Sequence, residues 1–314
     1  MAVFDAIIQG IIQGATEFLP VSSSGHLSIS QHIFGIELPG ILFDIMLHLG
    51  TLIAVIFVYR KLVWRLIREF VSLCKDIVHG EFKWSEMSRD RRLLMMLFIG
   101  LLPLFLLFLP IPGTGMKVKD FSEMLAADKG MVAEGLALLA TSALLFLGIA
   151  ANRRMKQEKT VVNRDGKRVA AQGRKKIHTI DAVLIGITQC LAAVFPGLSR
   201  SGSTLSVGLL RGINQQTALD YSFVLGIPSI AAAALVSLKD LGTETAAIGA
   251  APLIIGMLTA MVTGFLAIKL LRWIVTTNKL EIFAYYTLVA GGVVTILGII
   301  EHITHQNIFT GSPL

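Results

Sequence analysis

Two stretches of the chain, each containing a helix-breaking proline, decide how it folds. The first runs from Gln13 to His26 and reads Gln-Gly-Ala-Thr-Glu-Phe-Leu-Pro-Val-Ser-Ser-Ser-Gly-His. The second runs from Pro196 to Thr204 and reads Pro-Gly-Leu-Ser-Arg-Ser-Gly-Ser-Thr. Proline, glycine and serine interrupt an otherwise apolar sequence in both. We therefore expect a helix, a break and a second helix in each of the segments 4–38 and 180–217.

The composition around these stretches is that of an integral membrane protein. Of 314 residues, 54% are hydrophobic and 16% are charged, whereas a soluble domain carries roughly 25% charged residues. This balance excludes a disordered chain, a nucleic-acid-binding protein and most cytosolic enzymes. A transmembrane helix needs about 20 mostly apolar residues. The six predicted spans are residues 41–59, 93–110, 131–151, 220–238, 250–273 and 282–300.

The distribution of basic residues predicts the orientation in the membrane. Of the 28 lysines and arginines, 22 lie in segments 60–92, 152–178 and 269–281. Lysine and arginine accumulate on the cytoplasmic side, so we predict that these segments are cytoplasmic loops. Six spans agree with this prediction only if both broken segments enter and leave on one side, as re-entrant hairpins. The N-terminus and the C-terminus then both lie outside.

Two parts of the chain match each other at an offset of 176 residues. The matching pairs are Asp5 and Asp181, Ala6 and Ala182, Gly10 and Gly186, Gln13 and Gln189, Pro20 and Pro196, Asp44 and Asp220, and Gly50 and Gly226. Three predicted spans separate the copies, so the second copy is inverted. The predicted fold is an all-α integral membrane protein with an inverted-topology repeat, six transmembrane helices and two re-entrant helical hairpins. Such folds bind their ligand where the broken helices meet.

This organisation forms one membrane domain, residues 1–314. The first repeat is predicted at 1–151, the basic cytoplasmic loop at 152–178 and the second repeat at 179–301. Asp44 and Asp220, which are related by the repeat, are expected to hydrogen-bond to the hairpin backbone.

Four polar side chains in the two broken segments suggest a chemistry. A carboxylate and a guanidinium are costly inside a bilayer, so Glu17 and Arg200 should face a polar cavity. The planar fork of Arg200 suits phosphate, and serines that cap a helix leave N–H groups for an anion. With Ser23 and His26, the cavity holds a base, a nucleophile, a second acid or base and an anion clamp. This set predicts transfer or hydrolysis of a phosphoryl group on a lipid.

These motifs resemble those of the undecaprenyl-diphosphate phosphatase family, the bacitracin-resistance proteins, and the resemblance covers nearly the whole chain. It implies hydrolysis of undecaprenyl diphosphate to undecaprenyl phosphate and inorganic phosphate, which recycles the lipid carrier for peptidoglycan synthesis. It also implies a divalent cation, Mg²⁺ or Ca²⁺, and a multi-pass protein of the bacterial inner membrane whose active site faces outside. The expected partners are the polyprenyl diphosphate and membrane lipid, without nucleic acid, and a homodimer stays open.

Carried over residue by residue, the acidic motif of the family falls on Gln13 and Glu17, the implied metal ligands. Many members have Glu where this chain has Gln13, which leaves one charged ligand here. The serine-histidine and arginine motifs add Ser23, His26 and Arg200, and with Glu17 these form the predicted catalytic set. The residues predicted to bind substrate phosphate are Ser22, Ser24, Gly25, Gly197, Ser199, Ser201 and Thr204.

Two alternatives stay open at this point. Either Ser23 attacks the terminal phosphate while Glu17 or His26 removes its proton, or His26 is itself the nucleophile. A transporter or lipid-carrier flippase is the competing function, because inverted repeats with broken helices are also transporter architecture. Such a protein needs Arg200 but no pair of nucleophile and base.

Overall fold

The computed structural model describes residues 2–36, 41–81, 83, 87–126, 131–158, 160–162, 168–170, 172–237 and 249–312. The described residues form twelve α-helices and one short antiparallel hairpin. The helices are α1 (Val3–Glu17), α2 (Ser23–Phe34), α3 (Ile41–Val58), α4 (Arg60–Val78), α5 (Arg89–Leu101), α6 (Val118–Ala126), α7 (Met131–Glu158), α8 (Thr179–Val194), α9 (Arg200–Leu210), α10 (Gln215–Ser237), α11 (Ala250–Thr276) and α12 (Glu281–Thr304). The strands are β1 (Thr160–Val162) and β2 (Arg168–Ala170). Positions 37, 38 and 238 of the predicted segments, 82 and 84–86 of the basic segment 60–92, and 159, 163–167 and 171 of the basic segment 152–178 lie outside the described residues.

Among the described residues, six helical segments are long and apolar enough to cross a membrane. They are α3, α5 with its 3-10 continuation to Phe108, α7, α10, α11 and α12. They coincide with the six predicted spans. The helix α7 continues to Glu158, beyond the predicted end at residue 151, because residues such as lysine, arginine and glutamine favour helix without being apolar. The chain therefore has the helices of a multi-pass membrane protein.

Each of the two broken segments consists of a pair of short helices. The helices α1, α2, α8 and α9 have 15, 12, 16 and 11 residues. At about 1.5 Å per residue, none is as long as the roughly 30 Å hydrocarbon core. Both segments thus contain the predicted order of a helix, a break and a second helix. The first break lies between Glu17 and Ser23, and the second lies between Val194 and Arg200.

The helix boundaries repeat at the offset found in the sequence. Shifted by 176 residues, α1 would cover 179–193 and α2 would cover 199–210, close to the observed bounds of α8 and α9. Equivalent glycines also make equivalent contacts. Gly10 of α1 lies against the backbone of Gly256 in α11, and Gly186 of α8 lies against the backbone of Gly100 in α5. The sequence repeat therefore corresponds to repeated local structure.

The basic segment 60–92 is not simply a loop, and in this respect the prediction is wrong. Its first part forms α4, a helix of 19 residues that buries Leu66 and Leu73. Trp64 and Ile67 on the same helix are about half exposed. A helix with apolar and basic faces is typical of the membrane interface. The high charge of the segment concealed its helical periodicity.

The helices α7 and α12 pack closely because glycines line their contact. A methyl group on Gly291 would lie 2.9 Å from the carbonyl oxygen of Gly135, and one on Gly298 would lie 2.7 Å from the backbone nitrogen of Val132. The neighbouring Gly292 has open space at the same position. Small residues let helix backbones approach where the lipid gives little driving force for association.

We predict opposite effects for the substitutions Gly291→Ala and Gly292→Ala. The first should destabilise the protein by about 1–3 kcal/mol, because the added methyl group overpacks a helix contact. The second should be neutral or stabilising by up to about 1 kcal/mol, because alanine favours helix over glycine. Thermal unfolding of the purified variants in detergent measures both. Equal stability of the two variants would contradict the close packing at Gly291.

Candidate active site

The tips of the two helix pairs contact each other. The hydroxyl of Ser201 donates a hydrogen bond to the carbonyl oxygen of Leu19 across the interface, at 3.0 Å. A Cβ atom on Gly25 would lie 3.6 Å from the Cα atom of Gly197. Gly197 has φ of +81°, a left-handed conformation that glycine adopts without strain. The expected meeting of the two broken segments is therefore present.

A serine caps the second helix of each pair in the same way. Ser22 accepts a hydrogen bond from the backbone N–H of Gly25 at 3.2 Å, and Ser199 accepts one from that of Gly202 at 3.1 Å. Ser22 has φ of +74°, which is strained for a residue other than glycine. The N-termini of α2 and α9, which attract anions, thus lie beside the contact between the tips.

Glu17 is the centre of the site. Its Oε1 atom accepts a hydrogen bond from Nη2 of Arg200 at 2.7 Å, and this contact is also an ion pair between the two halves of the chain. Its Oε2 atom accepts one from the hydroxyl of Ser23 at 2.7 Å and one from Nε2 of Gln13 at 3.0 Å. Four predicted site residues therefore form one hydrogen-bonded group around a buried carboxylate.

Arg200 keeps a second donor that binds no described residue. Its Nη1 atom is buried and without a partner in the part of the chain that the structure describes. The guanidinium lies directly against Gly226 of α10, where a Cβ atom would collide with Nη1. Gly226 is the repeat partner of Gly50. An unpaired guanidinium N–H group next to two helix N-termini can bind an anionic oxygen atom.

A model of the family described as bacitracin resistance protein BacA matches residues 6–293 of this chain. The chain belongs to this family. The undecaprenyl-diphosphatase of Desulfosudis oleivorans is 38% identical to it over 306 residues, which is 95% of this chain and 99% of the relative. The undecaprenyl-diphosphatase of Methanobrevibacter smithii is 35% identical over 304 residues, which is 96% of this chain and 100% of the relative. The undecaprenyl-diphosphatase of Alkaliphilus metalliredigens is 35% identical over 306 residues, which is 96% of this chain and 100% of the relative.

In this member of the bacitracin resistance family, His26 lies apart from the group around Glu17. Its Nδ1 atom is 2.7 Å from the carbonyl oxygen of Ser22, and its Nε2 atom is 2.7 Å from the hydroxyl of Tyr286 on α12. The two rings are stacked with centroids 5.6 Å apart. A carbonyl oxygen only accepts, so Nδ1 carries the proton and Nε2 accepts from Tyr286. No described contact joins His26 to Glu17.

A different histidine, which the sequence analysis did not single out, approaches Glu17. His48 of α3 has its Nε2 atom 3.9 Å from Oε2 of Glu17. Its Nδ1 atom is 2.9 Å from the carbonyl oxygen of Asp44 and 3.7 Å from the carboxylate of the same residue. The signal in the sequence was a histidine within an apolar span, four residues after an aspartate.

The expected bonds from Asp44 and Asp220 to the hairpin backbone are not formed. Asp44 faces His48. Asp220 accepts hydrogen bonds from the hydroxyl of Tyr59 at 2.6 Å and from Nε2 of Gln216 at 3.0 Å. Asp44 thus approaches a histidine of its own helix, and Asp220 accepts from a glutamine of its own helix and from Tyr59, which lies between α3 and α4.

The remaining predicted phosphate ligands differ in their surroundings. Ser199 and Ser201 are buried at the start of α9, and Ser24 is exposed near the start of α2. Thr204 is buried, and its hydroxyl lies 2.6 Å from that of Ser222 and 2.8 Å from the carbonyl oxygen of Arg200. The hydroxyl of Thr204 therefore joins α9 to α10.

We predict that Arg200→Gln destabilises the protein by about 3 kcal/mol, because it leaves the buried carboxylate of Glu17 without its charged partner. The double variant Glu17→Gln/Arg200→Gln should be more stable than Arg200→Gln, because no unpaired charge remains. Thermal unfolding in detergent measures the difference. An Arg200→Gln variant with wild-type stability would contradict the ion pair.

Proposed function

We propose that this chain hydrolyses undecaprenyl diphosphate to undecaprenyl phosphate and inorganic phosphate, which recycles the lipid carrier for peptidoglycan synthesis and gives bacitracin resistance. The observation that carries the proposal is the chain of contacts from Ser23 to Glu17 to Arg200. It places a hydroxyl, a carboxylate and a guanidinium within one hydrogen-bonded group. The undecaprenyl-diphosphatases that match nearly the whole chain support the same reaction.

We place the chain in the cytoplasmic (inner) membrane, and in this placement each of the two helix pairs is a re-entrant hairpin. The short lengths of α1, α2, α8 and α9 support hairpins that turn back inside the bilayer. The three spans between the copies support an inverted repeat, with both termini outside. The basic segments then lie in the cytoplasm, and the diphosphate enters the site from outside while its polyprenyl tail stays in the lipid. A homodimer remains a prediction.

In the proposed reaction, Ser23 attacks the terminal phosphorus atom. Its hydroxyl already donates to Oε2 of Glu17, so the carboxylate is positioned to take the proton as general base. A bond forms between Oγ of Ser23 and phosphorus, and the bond from phosphorus to the bridging oxygen breaks, which releases undecaprenyl phosphate. Water then hydrolyses the phosphoserine to inorganic phosphate. His26 is the weaker nucleophile, because both its ring nitrogens bind other groups, Ser22 and Tyr286.

We propose that the substrate phosphates are held by hydrogen-bond donors at the tips of the two helix pairs. The unpaired Nη1 of Arg200 is proposed to hold a phosphate oxygen, and the N-termini of α2 and α9 add backbone dipoles. Ser22 and Ser199 are proposed to orient these N-termini as caps. The other proposed phosphate contacts are Ser24, Gly25, Gly197 and Ser201, while Thr204 supports α9 through Ser222.

The donor atoms of the site fit a hard divalent cation such as Mg²⁺ or Ca²⁺. The Oε1 atom of Gln13 is buried and accepts no hydrogen bond from the described residues, and Glu17 and Ser23 add further oxygen atoms. No group of three or more His, Cys, Asp or Glu in the described parts of the chain has a metal-binding arrangement. Gln13 and Glu17 would therefore share the ion with substrate phosphates. When bound, the cation neutralises charge on the phosphate oxygens.

A transporter is not favoured over the hydrolase. An anion transporter would use Arg200, but it has no need of a serine hydroxyl that donates directly to a carboxylate. The helix architecture alone supports either function.

Phosphate release tests the proposal directly. Purified protein in detergent is incubated with undecaprenyl diphosphate and Mg²⁺ or Ca²⁺, and released inorganic phosphate is measured with and without a chelator. We expect release that the chelator suppresses and that added cation restores. Absence of release with any divalent cation would favour the transporter, and full activity in the chelator would contradict the proposed cation.

We further predict that Ser23→Ala lowers turnover by about a thousandfold or more, because it removes the attacking oxygen. Binding of the lipid diphosphate should be retained, because Arg200 and the helix N-termini remain. The matched control is Ser28→Ala on the same helix, where the lost hydroxyl binds Glu134 instead of Glu17. Ser28→Ala should keep most of the activity. Activity retained in Ser23→Ala would assign the attack to another group.

A further inference from the structure

A cavity lies among the basic segments of the chain, and its lining on α10 ends at Val224, two residues before the Gly226 that contacts Arg200. It has a volume of about 920 Å³ and is enclosed by α4, the start of α5, residues 175–177 and the first half of α10. All these elements belong to the side that the basic residues predict as cytoplasmic. None of its lining residues takes part in the group around Glu17.

The cavity has more positive than negative charge. Its basic lining residues are Arg65, Arg89, Arg92, Lys175 and Lys176, and its acidic ones are Glu69, Asp90 and Asp220.

The acidic residues already have partners. Asp90 pairs with Arg65 at 2.8 Å, and Glu69 pairs with Arg91 at 3.2 Å. Asp220 accepts from Tyr59 and Gln216. Asp90 and Glu69 are therefore paired with other cations, whereas the partners of Asp220 are uncharged and leave its carboxylate to offset part of the positive charge of the cavity.

Four of the five basic side chains that line the cavity have no partner among the described residues. Arg89, Arg92, Lys175 and Lys176 make no side-chain hydrogen bond or ion pair with any residue that the structure describes. Four cations without a described partner line one cavity; three of them are exposed, so solvent screens their repulsion, and a bound anion would remove it. Their arrangement points to an anionic ligand with several oxygen atoms, as in a phosphate group.

Seven of the seventeen lining residues are apolar or aromatic, and four of these seven are buried. Met96, Ile177 and Val224 are almost fully buried, whereas Arg89, Lys175 and Lys176 are exposed. The cavity therefore has a basic opening and an apolar interior. This combination fits a ligand with a charged head and hydrocarbon chains better than it fits a free inorganic anion.

The adjacent helix α4 has the character of a helix at the membrane interface, where such a ligand is found. Its exposed apolar residues, including Trp64 and Ile67, face away from the buried side chains Leu66 and Leu73. A helix of this kind lies at the boundary between lipid headgroups and acyl chains. Leu62, Arg65 and Glu69 line the cavity from the other side of the same helix, and the interfacial character of α4 supports a position of the cavity near the phospholipid headgroups.

We propose that this cavity binds the phosphate headgroup of an anionic phospholipid from the cytoplasmic leaflet. Arg89, Arg92, Lys175 and Lys176 hold the phosphate, and the apolar interior accommodates the first part of an acyl chain. The proposal rests on the proposed orientation in the membrane and is independent of the hydrolysis of undecaprenyl diphosphate.

The test compares lipid binding by the full chain and two charge-matched double variants. The cavity variant is Arg92→Gln/Lys175→Gln. The control variant is Lys61→Gln/Lys75→Gln, which removes two positive charges from α4 outside the cavity lining. Native mass spectrometry in detergent measures the binding of dioleoylphosphatidylglycerol and of the zwitterionic dioleoylphosphatidylcholine. A third arm adds inorganic phosphate as competitor.

We expect wild-type protein to bind phosphatidylglycerol at least about tenfold more tightly than phosphatidylcholine, and the cavity variant to lose about tenfold of that affinity. The control variant should lose less than about twofold. Equal losses in the two variants, or equal affinity of wild-type protein for the two lipids, would overturn the proposal. If inorganic phosphate at the same concentration as the lipid displaced it, the occupant would be a free phosphate and not a lipid.

Folding and activity are checked separately. If the cavity variant unfolds at lower temperature than wild type, the variant Lys175→Gln/Lys176→Gln replaces it, because both lysines are exposed. The folded cavity variant should hydrolyse undecaprenyl diphosphate in detergent at the wild-type rate. Lipid binding is measured without turnover, so the failure of this proposal and the failure of the proposed hydrolysis are distinguishable.

Discussion

The ion pair between Glu17 and Arg200 is the constraint on which the proposed site depends. An unpaired charge within a bilayer costs several kcal/mol, so each group needs the other at hydrogen-bond distance. That requirement brings the two helix breaks together, because one partner precedes the first break and the other follows the second. Gly226 leaves the room that the guanidinium occupies. The serine caps then satisfy backbone N–H groups that the breaks would otherwise leave unpaired inside the protein.

Much of the helix arrangement could be predicted from the length of the apolar stretches and from the proline, glycine and serine residues that interrupt them. All six predicted spans coincide with helices, because span length is set by the thickness of the bilayer and not by tertiary contacts. The helix α4 was missed, because a count of basic residues does not register the phase at which Leu66 and Leu73 recur. The end of α7 at Glu158 was missed because charged residues continue a helix as readily as apolar ones do.

Site residues could be predicted from the sequence where they lie within the two broken segments. Glu17, Ser23 and Arg200 were predicted to share one cavity with His26, and Gln13 was implied as a metal ligand by the family resemblance; the structure joins all of these except His26. His48 and Tyr286 could not be assigned in this way, because they reach the tips from α3 and α12. Their approach depends on how whole helices pack, and no local pattern encodes it. The same limit explains why Asp44 and Asp220 were given the wrong partners.

The distance along the chain between the two charged partners has a consequence for biosynthesis. Glu17 and Arg200 are 183 residues apart, and the repeat positions that correspond to them are the uncharged Ala193 and Ser24. While the ribosome is still translating the second half, the first hairpin has a carboxylate and no counter-ion. Until the arginine is synthesised, the side chain of Glu17 avoids an unpaired buried charge only by contact with water, by protonation or by approach to His48 of the first half. Completion of the site is therefore coupled to synthesis of the second half.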